Sequence, residues 1–376
     1  MTAKTNPAKI EFSYETTIFL YILRYQVIKD YILTYQRLKI AELAAAAGVS
    51  IPTVSKVLNH RPDVAPTTRE RIERIIAESG YIHSRAIRPQ VEGQASQTYL
   101  IDLISPDALD SEYGLEILRG IEEILNQTEY RVVLYSMHDN TLREHQWQSK
   151  VNHKTTDGAL LFTPRDRTRH IEKLRKQRIP FVVIDDALQL EPDIPCVGAT
   201  NWVGGVMAVE YLLGLGHRRI ATITGTATHM TSRARLAGYR AALEMQGIAI
   251  DPSLIRPGNF GHESGYRETL ALLDLPEAPT AIFAANDEQT AGVYRALYAR
   301  NVHVPKDISV IGFDDIPSAA RMSPPLTTIR QPLREMGRMA TQMLMRMIAG
   351  ETLENKRIEL ATSLILRESC TAPGRQ

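Results

Sequence analysis

Cysteine, long apolar runs and catalytic motifs are all scarce in this sequence of 376 residues. Its two cysteines, Cys196 and Cys370, are too few and too far apart to form a disulfide framework or a zinc site. No apolar run approaches the roughly 18 residues that a membrane span requires, and the N-terminus lacks the residue order of a secretory signal. We therefore expect a cytoplasmic protein without a cofactor, a bound metal or a membrane partner.

The motifs of common enzymes are also missing, namely GxxxxGKS or GxxxxGKT, GxSxG, HExxH and CxxC. His262, Glu263 and Ser264 have the residue types of a catalytic triad, but adjacency in the sequence does not orient them. We therefore predict that the chain is not an enzyme. A carbohydrate-active enzyme stays an alternative, which turnover of a bound sugar would reveal.

The overall composition is that of a globular protein, with 44% hydrophobic and 23% charged residues, and the length allows two or three domains. The net charge of +1 hides an asymmetry, because residues 37–90 hold nine Lys or Arg against five Asp or Glu. A basic head on an acidic body suits a protein that contacts phosphates at one end. Plain helical domains carry similar charge, so this support is weak.

The stretch 43–59 predicts two short helices joined by a tight turn. Small and apolar residues up to Ala47 favour a first helix, Gly48 can adopt the left-handed conformation that ends it, and Ser50 can cap a second helix. Two helices joined so tightly cross steeply, as in the helix-turn-helix, whose second helix lies in the DNA major groove. An ordinary helical hairpin is the alternative that the glycine turn alone would favour.

The run A-G-V-S-I-P-T-V-S-K-V-L-N at residues 47–59, followed by Gly80-Tyr81, resembles the DNA-binding head of the lactose/galactose-repressor family of bacterial regulators. The resemblance implies a homodimeric transcription regulator, most simply a repressor, that binds a palindromic operator in double-stranded DNA. It implies that residues 51–59 form the recognition helix and that a third helix runs from residue 66 to about residue 79. The residues that it predicts to contact DNA are Ile51, Pro52, Thr53, Ser55, Lys56, Asn59, Arg85 and Arg88.

The linker that we predict at residues 84–97 departs from the family's pattern. Relatives carry there a short hinge helix ending in a leucine, which enters the minor groove and bends the operator. Here Gln90 stands in place of the leucine and Pro89 precedes it, and proline disfavours helical geometry at Arg88. We therefore predict a truncated or missing hinge helix and a less bent operator. Ile87 could act as a substitute wedge, but we favour the alternative that it packs against the body.

Residues 1–36 precede the head. Their apolar residues fall at alternating spacings of three and four, which predicts a helix from about residue 17 to residue 36. Such a helix could pack on the head or on its copy in a dimer, whereas a wrongly assigned start site is an equal alternative. We predict no function for this segment.

Beyond the linker, short apolar runs alternate with amphipathic helical segments, which predicts parallel sheets covered by helices on both faces. The runs are residues 99–104, 131–135, 158–162, 181–184, 220–224, 281–284 and 308–313. With more than ten such elements and a break near residues 192–200, two doubly wound α/β lobes are favoured over one sheet. The tail from residue 368 to residue 376 has no heptads, so we expect a dimer rather than a tetramer.

Polar residues follow several of these runs, at the edge where parallel sheets bind ligands. They are Asp185, Thr226, the pair Asn286-Asp287 and the pair Asp314-Asp315. A single aspartate at such a position is more often a helix cap or a turn residue. Agreement among four strand ends nevertheless predicts a ligand site.

The family resemblance extends from Ile40 to Glu368 and includes Gly216-His-Arg-Arg-Ile220 and Asp307-Ile-Ser-Val-Ile-Gly-Phe-Asp-Asp315. It implies a two-lobed core like that of periplasmic sugar-binding proteins, with residues 98–199 and 331–359 in one lobe and residues 200–330 and 360–372 in the other. It also implies a small carbohydrate effector. The effector-binding residues that it predicts are Tyr113, Asp185, Arg235, Phe260, Asn286 and Asp314.

One departure lies at Thr200-Asn201, where many relatives have Asp-Asn, which puts a ligand contact there in doubt. Two other classes remain as alternatives beside the regulator and the enzyme: a sugar-binding protein without regulatory DNA binding, and a secreted one, which would need an export signal. Neighbouring genes for sugar uptake or glycoside cleavage, with an inverted repeat upstream, would discriminate among these classes.

Overall fold

The computed structural model describes residues 40–58, 63–79, 97–105, 111–136, 141–162, 167–185 and 191–374. The chain forms two compact units, one ending at Pro89 and the other beginning at Gln90. Several predictions lie outside the described residues, namely those for the segment 1–36, for positions 84–96 of the linker and for Asn59, Arg85 and Arg88.

The first unit contains the three helices that the sequence predicts. They are α1 (Ile40–Ala47), α2 (Ile51–Leu58) and α3 (Pro66–Ser79). Gly48 joins the first two helices with a φ of 63°, a left-handed conformation that glycine adopts without steric cost. Apolar side chains from all three helices are buried together and form a small core, including Leu43, Val54, Val57 and Ile72.

The second unit alternates strands and helices. Its described strands are β1 (Leu100–Ser105), β2 (Arg131–Ser136), β3 (Gly158–Phe162), β4 (Phe181–Ile184), β5 (Cys196–Ala199), β6 (Ile220–Ile223), β7 (Ile255–Arg256), β8 (Ala281–Ala284), β9 (Ser309–Asp314), β10 (Thr327–Arg330), β11 (Arg357–Leu360) and β12 (Ser363–Ile365). Its described helices are α4 (Glu112–Leu125), α5 (Thr141–Asn152), α6 (Arg167–Gln177), α7 (Asn201–Gly214), α8 (Met230–Met245), α9 (His262–Leu273), α10 (Asp287–Ala299) and α11 (Leu333–Ile348).

These strands form two sheets, which define two lobes. The first sheet has the order β11-β5-β4-β3-β1-β2 and is parallel throughout. The second has the order β12-β10-β9-β8-β6-β7 and is parallel except for the pair β10 and β12. In each sheet the first strand has neighbours on both sides, so each has a switch point at which the connections diverge.

Helices cover both faces of each sheet, as the sequence predicts. In the first lobe, α4 and α11 pack on one face while α5 and α6 pack on the other. In the second lobe, α7 and α8 cover one face and α9 and α10 the other. Among the described residues, no helix is both long and apolar enough to span a bilayer.

Within residues 191–374 the chain crosses between the lobes three times. It passes from β5 into α7, from β10 into α11 and from β11 into β12. Helix α11 and strand β11 therefore belong to the first lobe, although they follow the whole helical part of the second lobe in sequence. These crossings bring the carboxyl ends of the two parallel sheets toward a shared cleft.

Candidate functional site

A cavity of about 400 Å³ lies between the two lobes, lined by residues that follow strands of both sheets. All six residues predicted to bind an effector line it. The other lining residues are Ser105, Ser111, Phe162, His229, Thr231, Asn259, Gly261 and Glu288. Thr226, Asp287 and Asp315, which also follow strands, do not line it.

Three of the cavity residues have backbone conformations that side chains other than glycine rarely adopt. The φ angles are 68° at Asp185, 70° at Phe260 and 117° at Asp314. Such conformations persist where the surrounding structure enforces them, and they are concentrated at functional sites. Asp185 directly follows β4 and Asp314 ends β9, so the sheets hold these two residues in place, whereas Phe260 lies in the loop between β7 and α9.

Arg235, which is only 4% exposed, is held rigidly on α8. Its Nε donates to Asn201 Oδ1 at 2.8 Å, and its Nη1 donates to the Ala285 carbonyl oxygen at 2.6 Å. The guanidinium carbon lies 3.8 Å from the centre of the Phe313 ring. Nη1 also lies 3.6 Å from Asp314 Oδ1. The guanidinium is therefore fixed in orientation before a ligand enters.

Asn201 orients the guanidinium of Arg235, a role that the sequence did not reveal. Its Oδ1 accepts from Arg235, and its Nδ2 donates to the Ala199 carbonyl oxygen at 3.0 Å. The preceding Thr200 hydroxyl lies 3.0 Å from Thr362 Oγ1, so the two hydroxyls link two of the crossings. At this departure from the family's pattern, both side chains are engaged within the protein.

Two buried carboxylates face each other across the cleft, one from each lobe. Burial raises the pKa of Asp185 to about 6, although the Tyr113 hydroxyl and Arg235 lower it. Burial likewise raises the pKa of Asp314 to about 7, against the lowering effects of Arg235 and of Gln331, whose Nε2 donates to Asp314 Oδ1 at 2.7 Å.

Asp185 Oδ1 and the Tyr113 hydroxyl oxygen are both buried, and the hydroxyl lies close enough to lower the pKa of Asp185, but neither atom makes a hydrogen bond of good geometry to the described residues. A buried polar atom without a partner costs free energy, and a ligand that supplies the missing partner removes that cost. The two atoms therefore offer ligand contacts in the first lobe.

Aromatic rings form two walls of the cavity. Tyr113 stacks on Phe162 in the first lobe, with ring centroids 5.8 Å apart and an interplanar angle of 20°. Phe260 lies beside His229 in the second lobe, also at 5.8 Å. The Phe260 ring packs directly over Gly225, where any Cβ would overlap the ring. The sequence reasoning did not identify Phe162, His229 or Gly225.

Asn286 caps a helix and also lines the cavity. Its Oδ1 accepts from the Gln289 backbone N–H at 2.9 Å and so caps α10. Its neighbour Asp287 is fully buried and accepts from Thr328 Oγ1 and from the Ile316 backbone N–H. Asn286 thus caps a helix as well as lining the cavity, whereas Asp287 makes its hydrogen bonds within the protein.

In the first unit, helix α2 presents a distinct outward face. Ile51 is 47% exposed, and Pro52 and Lys56 are also exposed, whereas Thr53 and Ser55 are half-buried. The first turn of a helix has no partner for a backbone N–H, so Pro52 is tolerated there. All five residues lie on the solvent side of a helix whose other side packs into the core.

The sequences of both units match known protein families. Residues 39–84 match the profile described as bacterial regulatory proteins, lacI family, and residues 209–370 match a periplasmic binding protein-like domain. The ribose operon repressor of Escherichia coli (strain K12) is 34% identical over 330 residues, which cover 87% of this chain and 98% of the relative. The chain belongs to the lacI family of bacterial regulatory proteins.

Solved structures of transcriptional regulators have the same fold as this lacI-family chain. A structure described as a transcriptional regulator CelR–cellobiose complex has a TM-score of 0.68 and 31% identity, covering 89% of this chain and all of that one. The lac repressor dimer bound to operator and an anti-inducer has a TM-score of 0.65 and 28% identity, covering 90% of this chain and all of that one. The lacI-family chain is thus a DNA-binding transcriptional regulator with a helix-turn-helix head, and these relatives are named as regulators.

Proposed function

We propose that this lacI-family regulator binds a palindromic operator as a homodimer, represses transcription there, and changes its DNA affinity when an uncharged sugar enters the cavity between its lobes. The cavity carries the ligand part of this proposal, because residues of both lobes converge on it with hydrogen-bonding groups and aromatic faces. The protein acts on chromosomal DNA, so its place is the cytoplasm. We assign it no enzymatic activity.

The chemistry of the lining suits a sugar. Carboxylates accept hydrogen bonds from adjacent hydroxyls, and the fixed guanidinium of Arg235 offers donors of defined direction. The rings of Tyr113 and Phe260 offer apolar faces for the C–H side of a pyranose or furanose. The buried oxygens of Asp185 and Tyr113, which make no hydrogen bond of good geometry to the described residues, gain such bonds when hydroxyls arrive.

The charge balance favours an uncharged ligand. Among the described residues that line the cavity, the carboxylates are those of Asp185, Glu288 and Asp314, whereas Arg235 supplies the guanidinium. The pKa values of Asp185 and Asp314 are already raised by burial. A phosphate or carboxylate on the ligand would add a further negative charge to a site with little solvent to screen it.

The position of the cavity supports a coupling between sugar and DNA. A ligand that contacts Asp185 in the first lobe and Arg235 and Asp314 in the second binds more tightly when the lobes are close together. It therefore shifts the population toward the closed arrangement by its differential affinity. The operator dimer among the solved structures and the exposed face of α2 support DNA as the other partner.

Two measurements on the full chain test this proposal. Thermal shift is measured against a panel of monosaccharides and oligosaccharides, since a ligand at 100 times its Kd adds about 2.7 kcal/mol to the free energy of unfolding. A palindromic operator selected from random DNA by the protein is then titrated with and without the stabilising sugar. A sugar that stabilises the protein without changing its DNA affinity would contradict the regulatory coupling.

A further inference from the structure

A second cavity, of about 230 Å³, adjoins the interlobe cavity and shares Asp185 and Thr231 with it. The rest of its lining comes from the first crossing between lobes, from the start of α8 and from strand β11. These residues are Gly198, Ala199, Thr200, Asn201, Trp202, Val203, Met230, Ala234 and Glu359. The two cavities, hereafter two compartments, are thus neighbours that share a wall at Asp185 and Thr231.

Trp202 is the aromatic residue that lines the second compartment. It is 45% exposed, and its neighbour Val203 is 42% exposed, although both lie in the first turn of a helix whose later turns are mostly buried. A single exposed aromatic residue is ordinary on a protein surface. This one is informative because it lines a cavity that shares two residues with the proposed effector site.

The backbone that carries Trp202 is held firmly. Helices α7 and α8 pack so closely that a Cβ on Gly238 would collide with the Trp202 carbonyl oxygen, and a Cβ on Gly205 would collide with the Arg235 carbonyl oxygen. The backbone at Trp202 is therefore held close to the helix that carries Arg235. An indole on a firmly held backbone has only two side-chain torsions to restrict when it binds a ligand, so the loss of conformational entropy is small.

We infer that the second compartment is a subsite for a second sugar ring, so that the effector is a glycoside of at least two units rather than a monosaccharide. One ring occupies the interlobe cavity, and the next ring lies against the indole of Trp202. Asp185 lies at the junction, and the exposed Glu359 carboxylate accepts from outer hydroxyls. This inference rests on the proposed function, since it presumes that the interlobe cavity binds a sugar.

The chemistry of the compartment fits this occupant. The C–H face of a pyranose is apolar and stacks on an aromatic face, while its hydroxyls need polar partners at the edge. Trp202, Met230 and Ala234 supply the apolar wall, and Asp185 and Glu359 supply the acceptors. Asn201 is engaged with Arg235 and Ala199, so it is not counted among the ligand contacts.

The test uses the full chain and matched sugars, comparing D-glucose with cellobiose and maltose, and D-xylose with xylobiose. The chain has two tryptophans, and Trp147 is only 1% exposed, so Trp202 supplies the emission that responds to the ligand. We expect one disaccharide to raise the Tm more than its monosaccharide does. The same disaccharide should shift tryptophan emission to shorter wavelength and protect it from acrylamide quenching.

Variants distinguish stacking from a general effect on folding. Trp202→Ala should weaken binding of that disaccharide roughly two- to tenfold more than binding of the monosaccharide, the range expected for one aromatic contact. Trp202→Tyr should recover most of the loss. Tyr298→Ala removes a ring that is 86% exposed and outside both compartments, so it should change neither affinity.

The results separate this inference from the proposed function. If a monosaccharide stabilises the protein and none of its disaccharides binds more tightly, the subsite is wrong while the proposed function stands. Equal weakening of both sugars by Trp202→Ala also overturns the subsite. If no sugar in the panel changes the Tm, the proposed function itself fails, and this inference fails with it.

Discussion

The ammonium nitrogen of Lys56 lies 2.6 Å from a carboxylate oxygen of Asp63. Lys56 projects from the outward face of α2, and Asp63 belongs to the segment just before α3. Both side chains are about half exposed, so the pair contributes little to stability, about 0–1 kcal/mol. In the absence of DNA, the Asp63 carboxylate therefore accepts a hydrogen bond from Lys56. A base can replace that acceptor at a small cost in free energy.

The first prediction concerns base reading by Lys56. Lys56→Ala should weaken binding by about 1–3 kcal/mol at one symmetric base-pair position, because the lost donor is specific to guanine. Asp63→Asn, which frees the ammonium, should leave that preference intact and raise the affinity slightly. The measurement is titration of operator variants substituted one position at a time. A uniform loss across all variants would instead make Lys56 a phosphate contact.

The second prediction concerns the sugar response. Asp185→Asn keeps the shape of the side chain but removes the charged acceptor, so it should leave DNA affinity intact and weaken or abolish the effect of the sugar. Arg235→Ala should have the same effect on the response, but it also removes support for Asn201. Glu244→Gln, on the exposed side of α8, serves as the matched control. An Asp185→Asn protein that responds at wild-type sugar concentrations would refute the site.

The third prediction concerns pH. Burial raises the pKa values of Asp185 to about 6 and of Asp314 to about 7, from the usual 3.8. The folded protein therefore holds these protons more tightly than the unfolded chain does, so their contribution to stability is present below pH 4 and is lost as pH rises toward 7. Urea denaturation of ligand-free protein between pH 4 and pH 8 measures this loss. Asp314→Asn should make it smaller, whereas an unchanged pH slope would argue against a buried, raised carboxyl group.

The fourth prediction concerns the wall formed by Phe260. Gly225→Ala adds a Cβ where the Phe260 ring now packs, so the ring must move and sugar affinity should fall roughly tenfold. Phe260→Ala should lower the affinity by a similar factor. Because both changes act through one ring, the double variant should be little worse than either single variant. Calorimetric titration checks this, and strictly additive losses would show that Gly225 acts separately.

The fifth prediction concerns assembly. A palindromic operator presents two half-sites to two recognition helices, so the functional unit needs two heads. We expect sedimentation equilibrium at micromolar protein to give the mass of two chains of 42.2 kDa. A mass of four chains, or of one chain that binds the operator without dimerising, would contradict the proposal.

Much of the fold was predictable because buried parallel strands have a simple pattern. The runs Phe181–Ile184 and Ala281–Ala284 form strands with the predicted bounds, since every residue in them is buried and apolar. Helix Leu333–Ile348 was not predicted, although Met336, Ala340 and Met343 give it a buried face at helical spacing. A search for that period would have identified it.

Other elements offered no clear local pattern. Strand Arg357–Leu360 lies at a sheet edge with exposed and half-buried residues, so its sequence resembles a loop. Helix Thr141–Asn152 is mostly polar, and Trp147 and Val151 are its buried apolar residues in the described core. Both elements depend on neighbours far away in sequence, and such contacts override local propensity.

The candidate site also contains residues that the sequence could predict and residues that it could not. Residues directly after strands, such as Asp185 and Asp314, could be placed because strand ends meet at one edge of a parallel sheet. The role of Asn201 depends on its contact with Arg235, 34 residues away, and that of Gly225 on the ring of Phe260. These contacts arise from helix packing and loop conformation, which leave no periodic trace in the sequence.

The three crossings also set the order in which the newly made chain can fold. The head is complete once residues 40–79 have left the ribosome, whereas the first sheet begins at β1 and waits for β11, roughly 250 residues later. At about 5–20 residues per second, that interval lasts on the order of 10–50 s. The second sheet likewise gains its edge strand only with β12. The helices of the DNA-reading unit are therefore finished early, and the sensing unit exposes an incomplete sheet until the last strands are made.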